Sequence, residues 1–236
     1  MGPEPLCLAD AQLLLDPGGA VLWPAQQLMA VADLHLEKGT AAAAKGSLLP
    51  PWDSAATLDR LALLVRRHTP ATTILLGDSF HDGDGAARLR PAERALLALI
   101  GRATSLVWVR GNHDPQAPTD LPGTAVAELA IGALVFRHQA EPGARHEVSG
   151  HFHPKASIPT RGALVSRPCF VADAQRLILP ALGEYTGGLD VHDRAIAGLF
   201  PRGGRVFLLG QDRLFCFPFQ RAMGSRLPTG QSALKL

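Results

Sequence analysis

Leu106-Val107-Trp108-Val109-Arg110-Gly111-Asn112-His113-Asp114 is a short apolar run that empties into a glycine and three polar side chains. A run this short and this apolar reads as a strand buried on both faces, with a loop at its carboxyl end. Two earlier stretches have the same shape. Leu28–Ala32 runs into Asp33-Leu34-His35, and Thr72–Leu76 runs into Gly77-Asp78. Helical patterns lie between them. Asp53 or Ser54 can cap a helix whose apolar stripe is Leu58, Leu61, Ala62 and Val65. Pro91 opens a second helix with Leu96, Leu97 and Ile100, ending at Gly101 or soon after. Strand, helix, strand, helix, strand is the rhythm of a parallel sheet wound with crossover helices.

Upstream, Leu6–Ala9, Gln12–Leu15 and Ala20–Trp23 read as short strands, with Asp16-Pro17-Gly18-Gly19 as a turn. Beyond Asp114 the pattern becomes mainly strands: Val126–Leu129, Ala133–Phe136, Glu147–Ser149, Leu164–Ser166, Phe170–Val171, Leu177–Leu179, Val206–Leu209 and Leu214–Phe217. No linker separates the two parts. One α/β domain over residues 1–236 is therefore expected, with βα units first and a mainly β part after them.

Composition supports a packed domain, since 47% of the 236 residues are hydrophobic and 19% charged. No apolar run approaches the roughly 18 residues that would span a bilayer. Met1–Pro5 lacks the basic and apolar regions of an export signal, which points to the cytoplasm. Cys7, Cys169 and Cys216 form no CxxC and are read as reduced packing residues. The net charge of +2 is unevenly spread. In the tail 201–236, Arg202, Arg205, Arg213, Arg221, Arg226 and Lys235 stand against Asp212 alone. Such an end can rest on nucleic-acid phosphates or be simply solvated.

The chemistry sits at the strand ends. Besides Asp33, His35, Asp78 and Asn112-His113-Asp114, the run Ala133–Phe136 delivers Arg137-His138, and Glu147–Ser149 delivers Gly150-His151-Phe152-His153. Ligands in open α/β sheets bind outside the carboxyl ends of strands, so five such ends describe one constellation. Gly-Asn-His-Asp is expected by chance on the order of 0.0002 times, and Asn112 is the chain's one asparagine. Carboxylates, imidazoles and an amide oxygen without thiolate suit hard or borderline divalent metals. Seven ligands exceed the needs of one ion but suit two sharing a carboxylate. A two-metal pair clamps the attacking and leaving oxygens of a phosphoryl displacement and makes hydroxide available near neutral pH.

Asp33-x-His35, Gly77-Asp78, Gly111-Asn112-His113-Asp114, His138 and Gly150-His151-x-His153 resemble the calcineurin-like binuclear metallophosphoesterase superfamily, over residues 33–153. The resemblance implies a four-layer αββα sandwich, two mixed sheets flanked by helices. It implies Asp33, His35 and His153 on the first metal, Asn112, His138 and His151 on the second, and Asp78 as the bridge. His113 then contacts the phosphate and protonates the leaving oxygen, with Asp114 as its orienting carboxylate. Leu34–Gly39, Leu75–Asp82, Arg167–Phe170 and Leu179–Gly188 further resemble the ligase-associated DNA damage response endonucleases. That clade implies a manganese-dependent DNA endonuclease of DNA repair, encoded beside a helicase, an ATP-dependent DNA ligase and an exonuclease. The superfamily's Gly-Asp-x-x-Asp appears here as Gly77-Asp78-Ser79-Phe80-His81-Asp82, which leaves His81 and Asp82 as residues that could orient ligands.

Arg88, Arg90, Arg110 and Arg137 lie near these motifs and are candidate substrate contacts, with structural ion pairing as the other reading. Trp23, Trp52 and Trp108 are read as core or near-core residues. Iron, cobalt and zinc fit the same donors as manganese. The ligand set does not separate DNA from RNA or from a small nucleotide phosphoester, and an inactive scaffold on the same fold is a further alternative. A monomer and a homo-oligomer are both open.

Overall fold

The computed structural model describes residues 2–116, 120–159, 162 and 164–219. The chain opens as an antiparallel meander of β1 (Glu4–Leu8), β2 (Ala11–Leu15), β3 (Val21–Trp23) and β4 (Leu28–Val31). It then changes to parallel addition. The crossovers carry α1 (Lys38–Ala44), α2 (Asp53–His68), α3 (Gly85–Arg88) and α4 (Pro91–Ala103). They bring β5 (Thr72–Leu76), β6 (Ser105–Val109) and β7 (Thr124–Val126) alongside β4, completing a seven-stranded sheet in chain order.

The side-chain alternation of these strands supplies two cores at once. Ala30, Ile74, Leu76 and Val109 face a second sheet, whereas Met29, Val31, Leu75 and Trp108 face Leu58, Leu61, Val65, Leu97 and Ile100 of α2 and α4. The second sheet is built from β8 (Leu129–Ile131), β9 (Leu134–Phe136), β10 (Glu147–Ser149), β11 (Lys155–Pro159), β12 (Leu164–Ala172), β13 (Arg176–Ile178), β14 (Gly204–Leu209) and β15 (Leu214–Phe219). Its order is β15-β14-β12-β13-β10-β9-β8, with β11 paired to β12. Phe136, Phe170 and Phe207 from this sheet meet Leu6, Leu8, Leu13 and Leu15 from the first. Full burial of each such side chain is worth about 1.5–3 kcal/mol, and together they clamp the two sheets.

The outermost layer is thinner than the αββα expectation. One turn of helix, α5 (Arg194–Ala197), covers Cys169, Val171 and Ile178 together with Phe200. After β13 the chain crosses from one sheet to the other: Leu179 N–H donates to Ser149 C=O at 2.8 Å, and Leu182 N–H to Ala32 C=O at 2.9 Å. That strap ties the end of β4 to the end of β10.

Several elements differ from the sequence reading. The expected strand Val126–Leu129 is divided, because β7 ends at Val126 in one sheet and β8 begins at Leu129 in the other. Leu164–Ser166 and Phe170–Val171 are one strand, β12. Neither Asp53 nor Ser54 caps α2, whose N-cap position is Trp52. Their side chains instead hold the loop after β4, with Asp53 Oδ2 accepting from Gly39 N–H at 2.9 Å and Ser54 Oγ accepting from Glu37 N–H at 2.8 Å. Trp23 and Trp108 are buried, but Trp52 is 62% exposed and no part of a core. Cys169 is a packing residue, as expected, while Cys7 and Cys216 lie exposed; all three thiols are free.

Candidate metal centre

The carboxyl ends of β4, β5 and β6 in the first sheet, and of β9 and β10 in the second, open onto one cleft. Asp33 and His35 follow β4, Asp78 follows β5, Asn112 and His113 follow β6, His138 follows β9, and His151 and His153 follow β10. The backbone there is unusual. Asp33, His35, Asp78, His151 and His153 all adopt the left-handed region, with φ of 53°, 44°, 45°, 73° and 45°. Each such conformation costs of order 1–3 kcal/mol in a non-glycine residue and persists only where neighbours fix it. Here cross-loop bonds fix it: His35 N–H donates to Asp78 C=O at 2.8 Å, and His151 N–H to Asp33 Oδ2 at 2.9 Å. Two glycines make the approach of these loops feasible. A Cβ on Gly111 would lie 2.1 Å from Asp78 Oδ1, and one on Gly150 would lie 2.5 Å from Asp33 Oδ2.

The side chains fall into two adjoining groups. In Asp33, His35 and His153, one ligand atom from each residue lies within 4.8 Å of the others, and the same holds for Asp78, His138 and His151. Within the first, His35 Nε2 is 3.2 Å from His153 Nε2, and His153 Nε2 is 3.5 Å from Asp33 Oδ1. Within the second, His138 Nε2 is 3.0 Å from His151 Nδ1 and 2.9 Å from Asn112 Oδ1. Asp78 stands between them, with Oδ2 3.8 Å from His35 Nε2 and 3.4 Å from His138 Nε2.

The electrostatics are those of a cation site. Burial holds the His35 imidazole far below its usual pKa, and His153 beside it adds to that; burial also lowers His151. Both rings are thus neutral with a lone pair to give. Burial works against ionising Asp78, but its contact with His138 prevails and keeps it below the usual carboxylate range. His138 goes the other way: burial opposes its charge, yet Asp78 and Asp33 pull its pKa up. A proton there occupies ground that a divalent cation would contest. Asp33 Oδ1 is buried without a hydrogen-bond partner, a costly state for a carboxylate oxygen unless a cation meets it. These oxygen and nitrogen donors fit hard or borderline divalent ions, which Asp33, His35 and His153 could hold as one group and Asp78, His138 and His151 as the other, with Asn112 beside His138.

At the rim, His113 N–H donates to Asp78 Oδ1 at 2.9 Å, and His113 Nε2 lies 4.0 Å from Asp78 Oδ2. The ring is oriented by a backbone carbonyl, His81 C=O, 2.9 Å from Nδ1. A carbonyl only accepts, so Nδ1 carries the hydrogen and Nε2 faces the cleft. Asp114 is not the orienting carboxylate expected from the sequence. Its Oδ2 accepts from Ser79 N–H at 2.7 Å and Phe80 N–H at 3.1 Å, and its Oδ1 from Gly111 N–H at 3.0 Å. It staples the loops after β5 and β6, and burial raises its pKa to about 6 despite those donors. His81, given no firm role from sequence, groups with His35 and His113 and stacks on the latter at 5.3 Å between centroids. Its signal was the unusual Gly77–Asp82 motif itself.

Of the four candidate substrate arginines, three are engaged elsewhere. Arg88 Nη2 lies 2.8 Å from both Asp82 oxygens, and its Nε donates to Thr40 Oγ1. Arg90 pairs with Glu93, and Arg137 with Glu128 and Glu141. Arg110 is exposed.

A cleft of this kind, with two carboxylate–imidazole groups at the strand ends of a two-sheet sandwich, defines a metal-dependent phosphoester hydrolase. Residues 27–152 match the family model described as calcineurin-like phosphoesterase, and the chain belongs to that family. Among solved structures it is similar to the Pseudomonas putida nuclease MPE, with 30% identity, a TM-score of 0.70, and coverage of 91% of this chain and all of that one. Yfce, a phosphoesterase from E. coli, aligns at 15% identity and a TM-score of 0.39 over 82% of this chain and 99% of that one. No curated protein matches. No helix among the described residues is long and apolar enough to cross a membrane.

Proposed function

We propose that this chain is a nuclease, a manganese-dependent DNA endonuclease serving DNA repair. The observation that carries the reading is the placing of Asp78 between two ligand groups with His113 Nε2 4.0 Å away at the open rim. The similarity to a protein named as a nuclease supports the substrate class, and the motif resemblance supports manganese and repair. When bound, a pair of divalent ions supplies hydroxide near neutral pH and neutralises charge on the phosphoryl oxygens. The chain's own residues do the rest. Asp33 and Asp78 balance the positive charge, neutral His35 and His151 offer lone pairs, and His113 stands at the rim. With Nδ1–H held by His81 C=O, the doubly protonated ring gives its Nε2 proton to the departing sugar oxygen and is left as the neutral Nδ1–H tautomer.

The test uses protein stripped of metal and then given manganese. Supercoiled plasmid should become nicked circles, and Asp78→Ala should abolish nicking together with manganese binding. Brisk hydrolysis of an aryl phosphodiester with no nicking would move the substrate to small nucleotides. Nicking that survives Asp78→Ala would remove the two-metal site from the reaction.

A further inference from the structure

With Arg88, Arg90 and Arg137 held by acids, a strand of nucleic acid needs other cations beside the metal centre. Two lysines are placed there. Lys38 opens α1, three residues after His35, and Lys155 opens β11, two residues after His153. They follow the two histidines whose Nε2 atoms lie 3.2 Å apart. Both lysines are half-buried. Among the described residues, neither ammonium forms an ion pair with a carboxylate within 4.0 Å.

The acids near them are already occupied. Glu37 accepts from Ser54 Oγ and Thr40 Oγ1, each at 2.8 Å. Asp53 Oδ2 accepts from Gly39 N–H, and Asp82 is held by Arg88. Lys155 is built in rather than loose. Its Nζ donates to Thr186 C=O at 3.4 Å, and its stem lies against Gly188, where a Cβ would come within 3.0 Å of Lys155 Cε. Burial lowers the Lys38 pKa, which Asp53 opposes and the charge of Lys155 slightly reinforces. Two half-buried cations that follow neighbouring histidines of the metal centre, neither ion-paired with a carboxylate, are suited to an anion placed beside that centre.

We propose that Lys38 and Lys155 form a phosphate-binding pair beside the metal centre, holding the backbone phosphate next to the one being cleaved. The inference rests on the nuclease reading and names what selects a polymer over a small diester. An aryl phosphodiester has no second phosphate, so the pair acts on one substrate and not on the other.

The test measures kcat and KM with manganese on a single-stranded oligonucleotide and on an aryl phosphodiester, for wild type, Lys38→Ala, Lys155→Ala and the double variant. The ratio of oligonucleotide to aryl kcat/KM should fall roughly tenfold or more in the double variant, chiefly through KM. The salt slope for the oligonucleotide should flatten by about 0.7 per lysine removed. Lys38→Arg and Lys155→Arg should recover most of the ratio. Equal losses on both substrates would show a structural role and overturn the pair. So would an unchanged ratio in a wild type that does cleave the oligonucleotide. A wild type that hydrolyses the aryl ester but never the oligonucleotide fails the nuclease reading itself, and the pair with it. Single Lys155→Gln keeps the test open should the double variant not fold.

Discussion

Buried charge at the two ends of β10 is handled in opposite ways. At its amino end, Glu147 is fully buried and faces Arg176 of β13, with Nη1 3.2 Å from Oε1. Arg176 Nη2 donates to Ala144 C=O, and Glu141 N–H donates to Glu147 Oε2. At its carboxyl end, beyond Gly150, the buried Asp33 and Asp78 are ringed by imidazoles, of which burial and neighbouring histidines discourage His35 and His151 from charging while the acids favour charge on His138. Asp33 Oδ1 faces only imidazole nitrogens, His153 Nε2 at 3.5 Å and His138 Nδ1 at 3.7 Å, with no guanidinium or ammonium against it. One end neutralises its acid within the fold, and the other leaves that task to a ligand. Charge that serves architecture comes with its counter-charge built in, and charge that serves chemistry does not.

The largest expected effect lies at the chemical end. His113→Ala removes the proposed proton donor at the open rim of the site, so the protein should fold normally. Nicking of DNA, whose sugar leaving group is poor, should fall by about 10²–10⁴-fold. An aryl diester, whose phenolate leaves unaided, should lose far less. Equal losses in the two assays would mean that His113 serves metal or phosphate binding instead of proton transfer.

The architectural end should respond the opposite way. Arg176→Met strands Glu147 in the core, where burial already pushes its pKa up. Breaking a buried pair on one side costs about 3–5 kcal/mol. Urea unfolding should show that loss, while kcat per folded molecule at the distant cleft stays within about twofold. A loss of kcat with little loss of stability would break the contrast between the two ends.

Only the chemical side of this contrast was visible in the sequence. Asp33, His35, Asp78, Asn112, His113, His138, His151 and His153 were legible because each sits where an apolar run stops, and burial at a strand end is a local signal. The parallel half of the first sheet was legible for the same reason. What escaped depends on partners far away in the chain. The arginines are the exception: Arg88, Arg90 and Arg137 pair with the nearby Asp82, Glu93 and Glu141, and ion pairing stood beside substrate contact as an equal reading of them. The change of sheet between Val126 and Leu129 escaped because both sides of it are equally apolar. β11 escaped because its ladder is with β12, off the sheet's main path. Asp114 took its expected role from the family resemblance of Gly111-Asn112-His113-Asp114, and backbone amides of its own loop and of the loop after β5 claim it instead.

The finest test of the contrast is Asp33→Asn, which removes charge while keeping shape. Without metal, Asp33 Oδ1 accepts no hydrogen bond and meets His138 Nδ1 only at 3.7 Å, while its other oxygen accepts His151 N–H, a bond that an amide oxygen can keep. Unfolding of the metal-free variant should therefore differ from wild type by about 1 kcal/mol at most. Manganese should separate the two proteins. A ligand that binds only the folded state stabilises by about 2.7 kcal/mol at a hundred times its Kd, and the variant should lose most of that rise. Calorimetry with and without manganese reads both quantities in one experiment. A metal-free loss as large as that of Arg176→Met would make Asp33 a structural charge after all, and the division between the two ends of β10 would fall.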